Sequence, residues 1–363
     1  LYLDREQERA LQGERGEAMQ WAMGVLVGRG DASGAARLVP VTSVHIPDWY
    51  RHRSAGEWKW LAKMAGKVRL PITANPGGPD DAFSIARKAA LSGLRSDSAC
   101  SFTCTPYLAG NHPPKGGTAA WGGRAAVAFL NSVLEGRSED EDFSSAMASA
   151  ITGLTTERGI LLEENRHPTI EVVVTGYGGR DLGLLGRYLS NVVRDQIPVI
   201  RGLHPDFDEA RGFAFSINGE GRVPLFHLHG PSEGLERIEV SAQECRAQAT
   251  GPVNPDLLIF GCPHLSEQAI NRWGRRLAGH RPGRTEAWFF ASQLCLDKCP
   301  HTGGLLRSRG RVLADACPLG MVEELADRTV GCDSPALASC LFAAGIDAGV
   351  LSDDELSFLL ASD

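Results

Sequence analysis

Three cysteines far apart in the chain each stand one or two residues before a proline: Cys104-Thr105-Pro106, Cys262-Pro263-His264 and Cys317-Pro318. The backbone before a proline is pushed out of the helical region, so each thiol is expected on an extended bend. Cys262 follows the apolar run 256–261 and Cys317 the run 311–316. Both runs read as short buried strands, with the cysteine at the carboxyl end where the chain turns out of the sheet. Ligands of open α/β sheets bind at that edge. Three thiolates converging there would make a soft-metal site with one coordination position open, suited to iron, an iron–sulfur cluster or zinc. For Cys104 alone, in the stretch 98–111, burial as a small inert hydrophobe is the commoner outcome. The two later occurrences of the pattern shift that balance.

A chain of 363 residues can bury a large core in two or three domains. The net charge of -7 comes from interspersed acids and bases, which argues against a nucleic-acid or anionic-membrane partner. No apolar run approaches the ~18 residues of a membrane span, and the start, charged from Asp4 onward, has no signal-peptide pattern. The first residue is Leu1, so a few further residues are expected upstream. Nine cysteines are too sparse for a disulfide scaffold, and a reducing, cytoplasmic compartment is expected.

Along the chain, helix-like spacing broken by Gly13 and Gly16 predicts two short helices over 4–27. A strand over 35–44 runs into Ser43-Val-His-Ile46, a helix covers 56–65, and a strand over 68–72 leads to Asn75-Pro-Gly-Gly-Pro79. That loop reads as a plain turn or as a set of N–H groups for a carboxylate or phosphate. Helices are predicted over 82–94, 119–134 (carrying Asn131 and Ser132) and 144–151, with the acidic stretch 135–142 as a solvated loop. At Arg166-His-Pro168 the texture changes, which divides the chain into a region 1–167 with Cys104 and a region 168–363 with Cys262 and Cys317. Beyond it, strands over 169–175, 197–203 and 222–229, helices over 181–193, 207–215 and 238–250, and the strands before Cys262, over 286–291 and before Cys317 alternate as in a doubly wound sheet. The fold class is therefore α/β, multi-layered, with a doubly wound C-terminal half.

Other groups compete for chemistry. Cys295-x-x-x-Cys299-Pro-His301 could clamp zinc but lacks a second pair of ligands. Cys100 reads as structural or as a redox partner of Cys104, and Cys245 as structural. His227 and His229 share one face and read as pocket histidines or ligands. Ser334, in Asp333-Ser-Pro335, reads as a helix N-cap or as a hydroxyl aimed at an anion. His45 and Asn75, at strand ends, are placed to grip a polar substrate.

With these residues in view the chain resembles the large, catalytic part of the aconitase X family. The landmarks are Ser43-Val-His-Ile46, Asn75-Pro-Gly-Gly78, Cys104-Thr-Pro-Tyr107 with Gly110-Asn111, Ala120-Trp121, Asn131-Ser-Val-Leu134, Glu164-Asn-Arg166, Phe226-His227, Gly261-Cys-Pro-His-Leu-Ser266, Asp315-x-Cys317 and Asp333-Ser334. The resemblance implies a hydro-lyase that eliminates water from a small hydroxy acid, such as cis-3-hydroxy-L-proline or mevalonate 5-phosphate. It further implies iron, mononuclear or in an iron–sulfur cluster, on Cys104, Cys262 and Cys317, acting as a Lewis acid on the leaving hydroxyl. Catalytic roles fall by resemblance on Ser43, His45 and Ser334, and substrate contacts on Asn75, Gly77, Asn131, Ser132 and His227. A small swivelling domain, as a second subunit or a fused upstream segment, is implied as partner.

The chain departs from the family pattern in three places. Gly122-Gly-Arg-Ala125 replaces Ala-Glu-Ser-Ser, Ser138-Glu-Asp-Glu-Asp-Phe143 replaces Thr-Asn-Arg-Glu-Gly-Gly, and Ala336, Ser339 and Cys340 replace a lysine and a His-Tyr pair. The alternative is a catalytically silent, metal-binding or regulatory subunit.

Overall fold

The structure, a computed structural model, describes residues 1–47, 60, 63, 64, 66–68, 70–78, 82–94, 100–177, 182–219, 223–246, 254–278 and 285–361. Most of the helix expected over 56–65 lies outside these residues, as do Ser98 and Pro79. Two compact units divide the chain. The first comprises Leu1–Asn75, Asp80–Pro168 and Pro224–His227, and the second Pro76–Pro79, Thr169–Val223 and Leu228–Asp363.

The first unit holds β1 (Leu38–Pro40), β2 (Val44–Ile46), β3 (Ile72–Ala74), β4 (Ser101–Phe102), β5 (Ala120–Trp121) and β6 (Leu154–Thr156). A four-stranded parallel sheet runs β4-β3-β2-β5, and β1 pairs antiparallel with β6. Every residue of β2 and β3 is buried, as expected of a parallel sheet covered on both faces. The helices Glu17–Ser33 and Phe143–Thr152 pack together, placing Met23, Leu26 and Met147 in one core with Val44 and Ile46. The break between the first two helices falls where expected, at Gly13 and Gly16, both with positive φ.

Two expectations fail in this unit. Ala120–Trp121 is a strand, and the helix begins only at Arg124, after Gly122 and Gly123. A Cβ on Gly122 would lie 2.2 Å from both the Glu141 carbonyl and Pro47, so two segments distant in sequence press against the backbone there. The acidic stretch, expected in solvent, is partly interior. Glu141 is buried, with Oε1 accepting the Thr155 hydroxyl at 2.8 Å and Oε2 facing Arg29 at 3.3 Å and Arg158 at 3.7 Å. Its counter-ions come from other elements, which a run of like charges cannot disclose.

The second unit holds β7 (Ile170–Thr175), β8 (Pro198–Arg201) and β9 (Glu236–Ser241) in a parallel sheet ordered β8-β7-β9. A five-stranded parallel sheet follows, built from β10 (Leu257–Leu265), β11 (Glu286–Ala291), β12 (Arg311–Ala314), β13 (Thr329–Cys332) and β14 (Asp347–Val350) in the order β12-β11-β10-β13-β14. From β10 the chain winds outward to β11 and β12, then returns to add β13 and β14 on the other side. The order therefore reverses between β10 and β13.

Two further expectations are corrected here. Residues 223–229 form no named strand, and Pro224–His227 belongs to the first unit. The helix expected over 238–250 is a strand to Ser241 and only then a short helix, Ala242–Arg246. Ile238 and Val240 alternate inward and β7 supplies a parallel neighbour, so sheet pairing overrides the helical spacing.

Regular pairing of β10 with β11 stops at Phe260↔Phe289 and resumes at Leu265↔Ala291. Gly261, at φ +97°, makes the break, and a Cβ there would sit 2.1 Å from the Phe290 carbonyl. Gly261→Ala is expected to destabilise the protein by ~2 kcal/mol or more, because strain and backbone overlap add. Gly212→Ala, at a helical position with nothing within 4 Å of the added methyl, is expected to be neutral or stabilising. Urea denaturation of the two variants checks this.

Candidate functional site

In the first unit the carboxyl edge of the parallel sheet carries Asn75 just past β3, Cys104 two residues past β4 and Gly123 two residues past β5. The bend at Cys104 is held by its neighbours, since the Thr105 N–H donates to Thr103 Oγ1 at 3.1 Å and the two hydroxyls lie 2.8 Å apart. Pro106 then opens a turn of 3-10 helix over Pro106–Ala109.

Behind this edge the buried polar groups form one chain whose donors and acceptors all match. Trp121 Nε1 donates to Ser43 Oγ at 2.7 Å, and Ser43 donates to Asn111 Oδ1 at 2.7 Å. Asn111 Nδ2 donates to Thr73 Oγ1 and to the Val44 carbonyl, both at 2.8 Å. Thr73 Oγ1 and His45 Nδ1 are 2.8 Å apart, and His45 Nε2 meets Asn75 Oδ1 at 2.9 Å. The pattern closes when Nε2 carries the imidazole hydrogen and Nδ1 accepts from Thr73. Complete burial agrees, pushing the His45 pKa down to about 4 against the hydrogen bonds that favour charge. Ser43 and His45 are thus interior residues that fix Asn75 at the strand end. Asn111 is the centre of the network. The sequence reading marked it only as a landmark, although a buried amide in a Gly-Asn turn was the available signal.

Asn131, Ser132 and His227 gather elsewhere in this unit, around the crossing segment Pro224–His227. Asn131 Nδ2 donates to the carbonyls of Ser138 at 2.9 Å and Pro224 at 3.1 Å, while Oδ1 accepts the Ser138 N–H at 2.9 Å. Ser132 Oγ accepts the Phe226 N–H at 2.9 Å, and His227 Nε2 donates to the Arg166 carbonyl at 2.8 Å. The Arg166 guanidinium, pushed down to about 10 by burial, bonds the carbonyls of Ile160, Asn131 and Gly136. These side chains hold backbone segments together. Arg124, at the start of its helix, lies 3.9 Å from Asp140, whose pKa burial pushes up to about 6.

In the second unit the ends of β10 and β12 are joined. Buried His264 donates from Nε2 to the Ala316 carbonyl at 2.8 Å, linking the residue two past Cys262 to the residue one before Cys317. Gly77 bridges Ala316 and accepts the Cys317 N–H at 2.8 Å. Gly78 and Gly320 meet backbone to backbone, since a Cβ on Gly78 would lie 2.7 Å from the Gly320 carbonyl. Gly77 and Gly78 therefore buttress the Cys317 turn.

Between the ends of β10 and β13, where the strand order reverses, opens a cavity of about 640 Å³. Open parallel sheets bind ligands at such a point. Cys262, Asp333 and Ser334 line it, with Arg272 and Arg276 from the helix Glu267–Leu277. Ser334 caps the helix Pro335–Ala343, its Oγ accepting the Leu337 N–H at 3.2 Å. Asp333 was marked in the sequence only as part of the Asp333-Ser334 landmark. Burial pushes its pKa up to about 7, Asp353 adds to the rise and Arg272 opposes it.

All nine cysteines are thiols. Among the described residues, within either unit no three His, Cys, Asp or Glu side chains stand together as a metal site. Cys295 and Cys299 are buried, burial pushes both thiols up, and His301 is exposed, so the zinc reading of that motif fails. The Cys299 sulfur is instead engaged by the Asn271 amide at 3.6 Å and the Glu267 carbonyl at 3.8 Å. Cys262 and Cys317 lie in the second unit and Cys104 in the first. Cys104 and Cys317 follow strand ends and precede 3-10 turns opened by proline, whereas Cys262, expected at the end of its strand, lies inside β10 just past its last regular pair with β11 at Phe260, because the strand runs on to Leu265. Three thiols of this kind are donors of the type iron takes.

A His45 pKa of about 4 against an ordinary 6.5 means that the unfolded chain binds a proton more readily between those values. Stability is therefore expected to hold above pH 6.5 and to fall as pH drops toward 4, by at most about 3 kcal/mol. Urea midpoints across that window check this, and His45→Gln should flatten the slope.

The family model for the aconitase X first domain matches residues 1–164. The chain is 32% identical to the phosphomevalonate dehydratase large subunit of Methanothermobacter thermautotrophicus, over 93% of each chain. It is 29% identical to the cis-3-hydroxy-L-proline dehydratase of Pseudomonas aeruginosa over 77% of its own length, spanning 54% of that protein. The crystal structure of Thermococcus kodakaraensis aconitase X in its holo-form superposes with a TM-score of 0.89 at 25% identity, covering 98% of this chain and 99% of that one. No helix among the described residues is long and apolar enough to cross a membrane. With sequence and fold agreeing over almost the full length, the chain belongs to the aconitase X family of carbon–oxygen lyases.

Proposed function

We propose that this chain is the large part of a cytoplasmic dehydratase that eliminates water from a small hydroxy acid. In this reading it works with a small swivelling partner and an iron centre held by Cys104, Cys262 and Cys317. The observation that carries the reading is the seam in the second unit. Cys262, past the last regular β10–β11 pair, and Cys317, past β12, flank β11 in one parallel sheet; His264 ties the two backbones, Gly77 holds the Cys317 turn, and Cys262 opens on the cavity at the switch point. The naming of relatives as large subunits supports a second chain.

Iron, when bound, would make the departing hydroxyl a better leaving group by withdrawing charge from its oxygen. The chain's own side chains orient and enclose the substrate. The network from Trp121 through His45 holds Asn75 in one orientation at the sheet edge. Ser334, rigid as a helix cap, offers a polar contact on the cavity wall. Apolar Leu182, Leu265 and Leu351 line the same cavity and limit water around the reacting carbons.

A second reading, a catalytically silent subunit, draws on Ser43, Asn131 and Ser132, whose side chains are hydrogen-bonded within their own fold. The two readings part in one experiment. The chain is co-produced with a small partner under anaerobic conditions, its iron is measured, and water elimination is assayed on phosphorylated and amino-bearing hydroxy acids. The expected outcome is turnover of at least one substrate, with most of the iron lost in Cys104→Ser, Cys262→Ser and Cys317→Ser but kept in Cys299→Ser. Iron without turnover on any substrate selects the silent subunit, and iron retained in all three variants removes the proposed centre.

A further inference from the structure

At the carboxyl edge of the first unit's sheet, Asn75 past β3 and Gly123 past β5 come together over the end of β2. The Asn75 N–H donates to the Ile46 carbonyl and the Gly122 N–H to the His45 carbonyl, both at 2.9 Å, so each segment leaves the sheet still bonded to β2. A Cβ on Gly123 would lie 3.4 Å from Asn75 Nδ2 and 3.5 Å from its Oδ1. The imidazole fixes which way round the amide sits, because His45 Nε2 donates to Oδ1 at 2.9 Å and the other end, Nδ2, is a donor.

Arg124 follows directly, as the first residue of the helix Arg124–Ser132. A cation in the first turn is opposed by the positive end of the helix, so helix stability does not explain its place there. The side chain is 56% exposed, with Asp140 at 3.9 Å. Asp140 Oδ1 accepts the Gly123 N–H at 3.1 Å, and the main chain at Asp140 bridges Trp121, so this carboxylate is fixed in position. Its pKa of about 6, raised by burial, still leaves it charged above neutral pH, where it steadies the guanidinium. The other acids of that stretch are served by different cations, Glu139 by Arg158, Asp142 by Arg29 and Glu141 by both. The segments that meet here, 122–125 and 138–143, are two of those in which the chain departs from its family's pattern, so the arrangement is its own.

We propose that Arg124, steadied by Asp140, and the Asn75 amide form the receptor for the carboxylate of the hydroxy acid. The identity of the ligand rests on the hydro-lyase reading given above, and the inference names the side chains that select it. A carboxylate presents two oxygens in one plane, and a guanidinium edge answers both with parallel N–H donors. Asn75 Nδ2 adds a donor whose direction the His45 contact sets. Asp140 offsets part of the guanidinium's charge, so the receptor suits a monoanion better than a phosphate dianion. Gly123, adjoining both donors, brings no side chain to occupy the space a ligand needs.

The test uses the iron-loaded complex with its small partner and the hydroxy acid it turns over fastest. Arg124→Gln is expected to raise KM by about tenfold or more, with kcat changed less than about threefold and iron content unchanged, because a charged hydrogen-bonding partner of the bound acid is lost. Arg124→Lys, which keeps the charge without the fork, should recover part of that loss. A readout independent of turnover is phenylglyoxal labelling of Arg124 in the same complex, followed by peptide mass spectrometry. Lactate is expected to slow the labelling of Arg124 and inorganic phosphate at the same concentration to slow it less, with exposed Arg15 unaffected by either. A KM for Arg124→Gln within about threefold of the wild type, or lactate that does not protect Arg124, overturns the receptor while leaving the hydro-lyase reading in place. Protection by phosphate equal to that by lactate overturns the choice of a carboxylate. A complex that turns over no hydroxy acid while lactate still protects Arg124 overturns the hydro-lyase reading and keeps the receptor, and one with neither turnover nor protection overturns both.

Discussion

The buried hydrogen bond from the His264 imidazole to the Ala316 carbonyl is the constraint on which the second unit's site depends. Two parallel strands separated by β11 would otherwise end independently, because sheet hydrogen bonds stop where the chains turn away. The kink at Gly261 releases Cys262 from the ladder, and the His264 contact recovers the path of β10 beyond it. On the other side the main chain of Gly77 takes the Cys317 N–H, so the second thiol's turn is gripped from two directions. The close approach of Gly78 and Gly320 works only because neither bears a side chain. The positions of both sulfurs are therefore set by backbone geometry and one imidazole, with little left to side-chain motion.

The first unit solves a different problem. Its central strands are buried on both faces and yet carry Ser43, His45 and Thr73, which would be costly without partners. The hydrogen bonds running from Trp121 to Asn75 satisfy these groups in one sequence of donors and acceptors, and a network satisfied in that way specifies a single arrangement. The neutral imidazole follows from it. With Nε2 donating and Nδ1 accepting, a second ring proton would face the Thr73 hydroxyl and undo the order. Residues that family likeness assigns to chemistry thus also serve as internal scaffolding, and the distinction is visible only when each hydrogen is given a destination.

Much of the fold could be read from the chain because its signals are local. Proline after a thiol, an apolar run ahead of it and glycines at breaks act within a few residues, so the bends at Cys104 and Cys317 and the doubly wound half were legible, while β10 runs on past Cys262 to Leu265. The site was legible as a set of positions and less so as a set of roles. Asn131, Ser132 and His227 were expected to touch substrate, yet their hydrogen bonds go to Ser138, Phe226 and Arg166. Those partners are supplied by segments as distant as Pro224–His227, which no window of sequence contains.

What the amino-acid sequence determined by itself was the alternation of strand and helix, the bends at Cys104 and Cys317 and the family to which the three thiols point, since backbone sterics and hydrophobic spacing act over short range. Only the tertiary structure decided that Glu141 is interior beside Arg29 and Arg158, that Pro224–His227 packs within the first unit, and that Asp333 lines a cavity where burial raises its pKa. Burial and the company of charges are properties of surroundings in space. The same carboxylate is a solvated surface group or a buried acid of raised pKa according to what the rest of the chain brings to it.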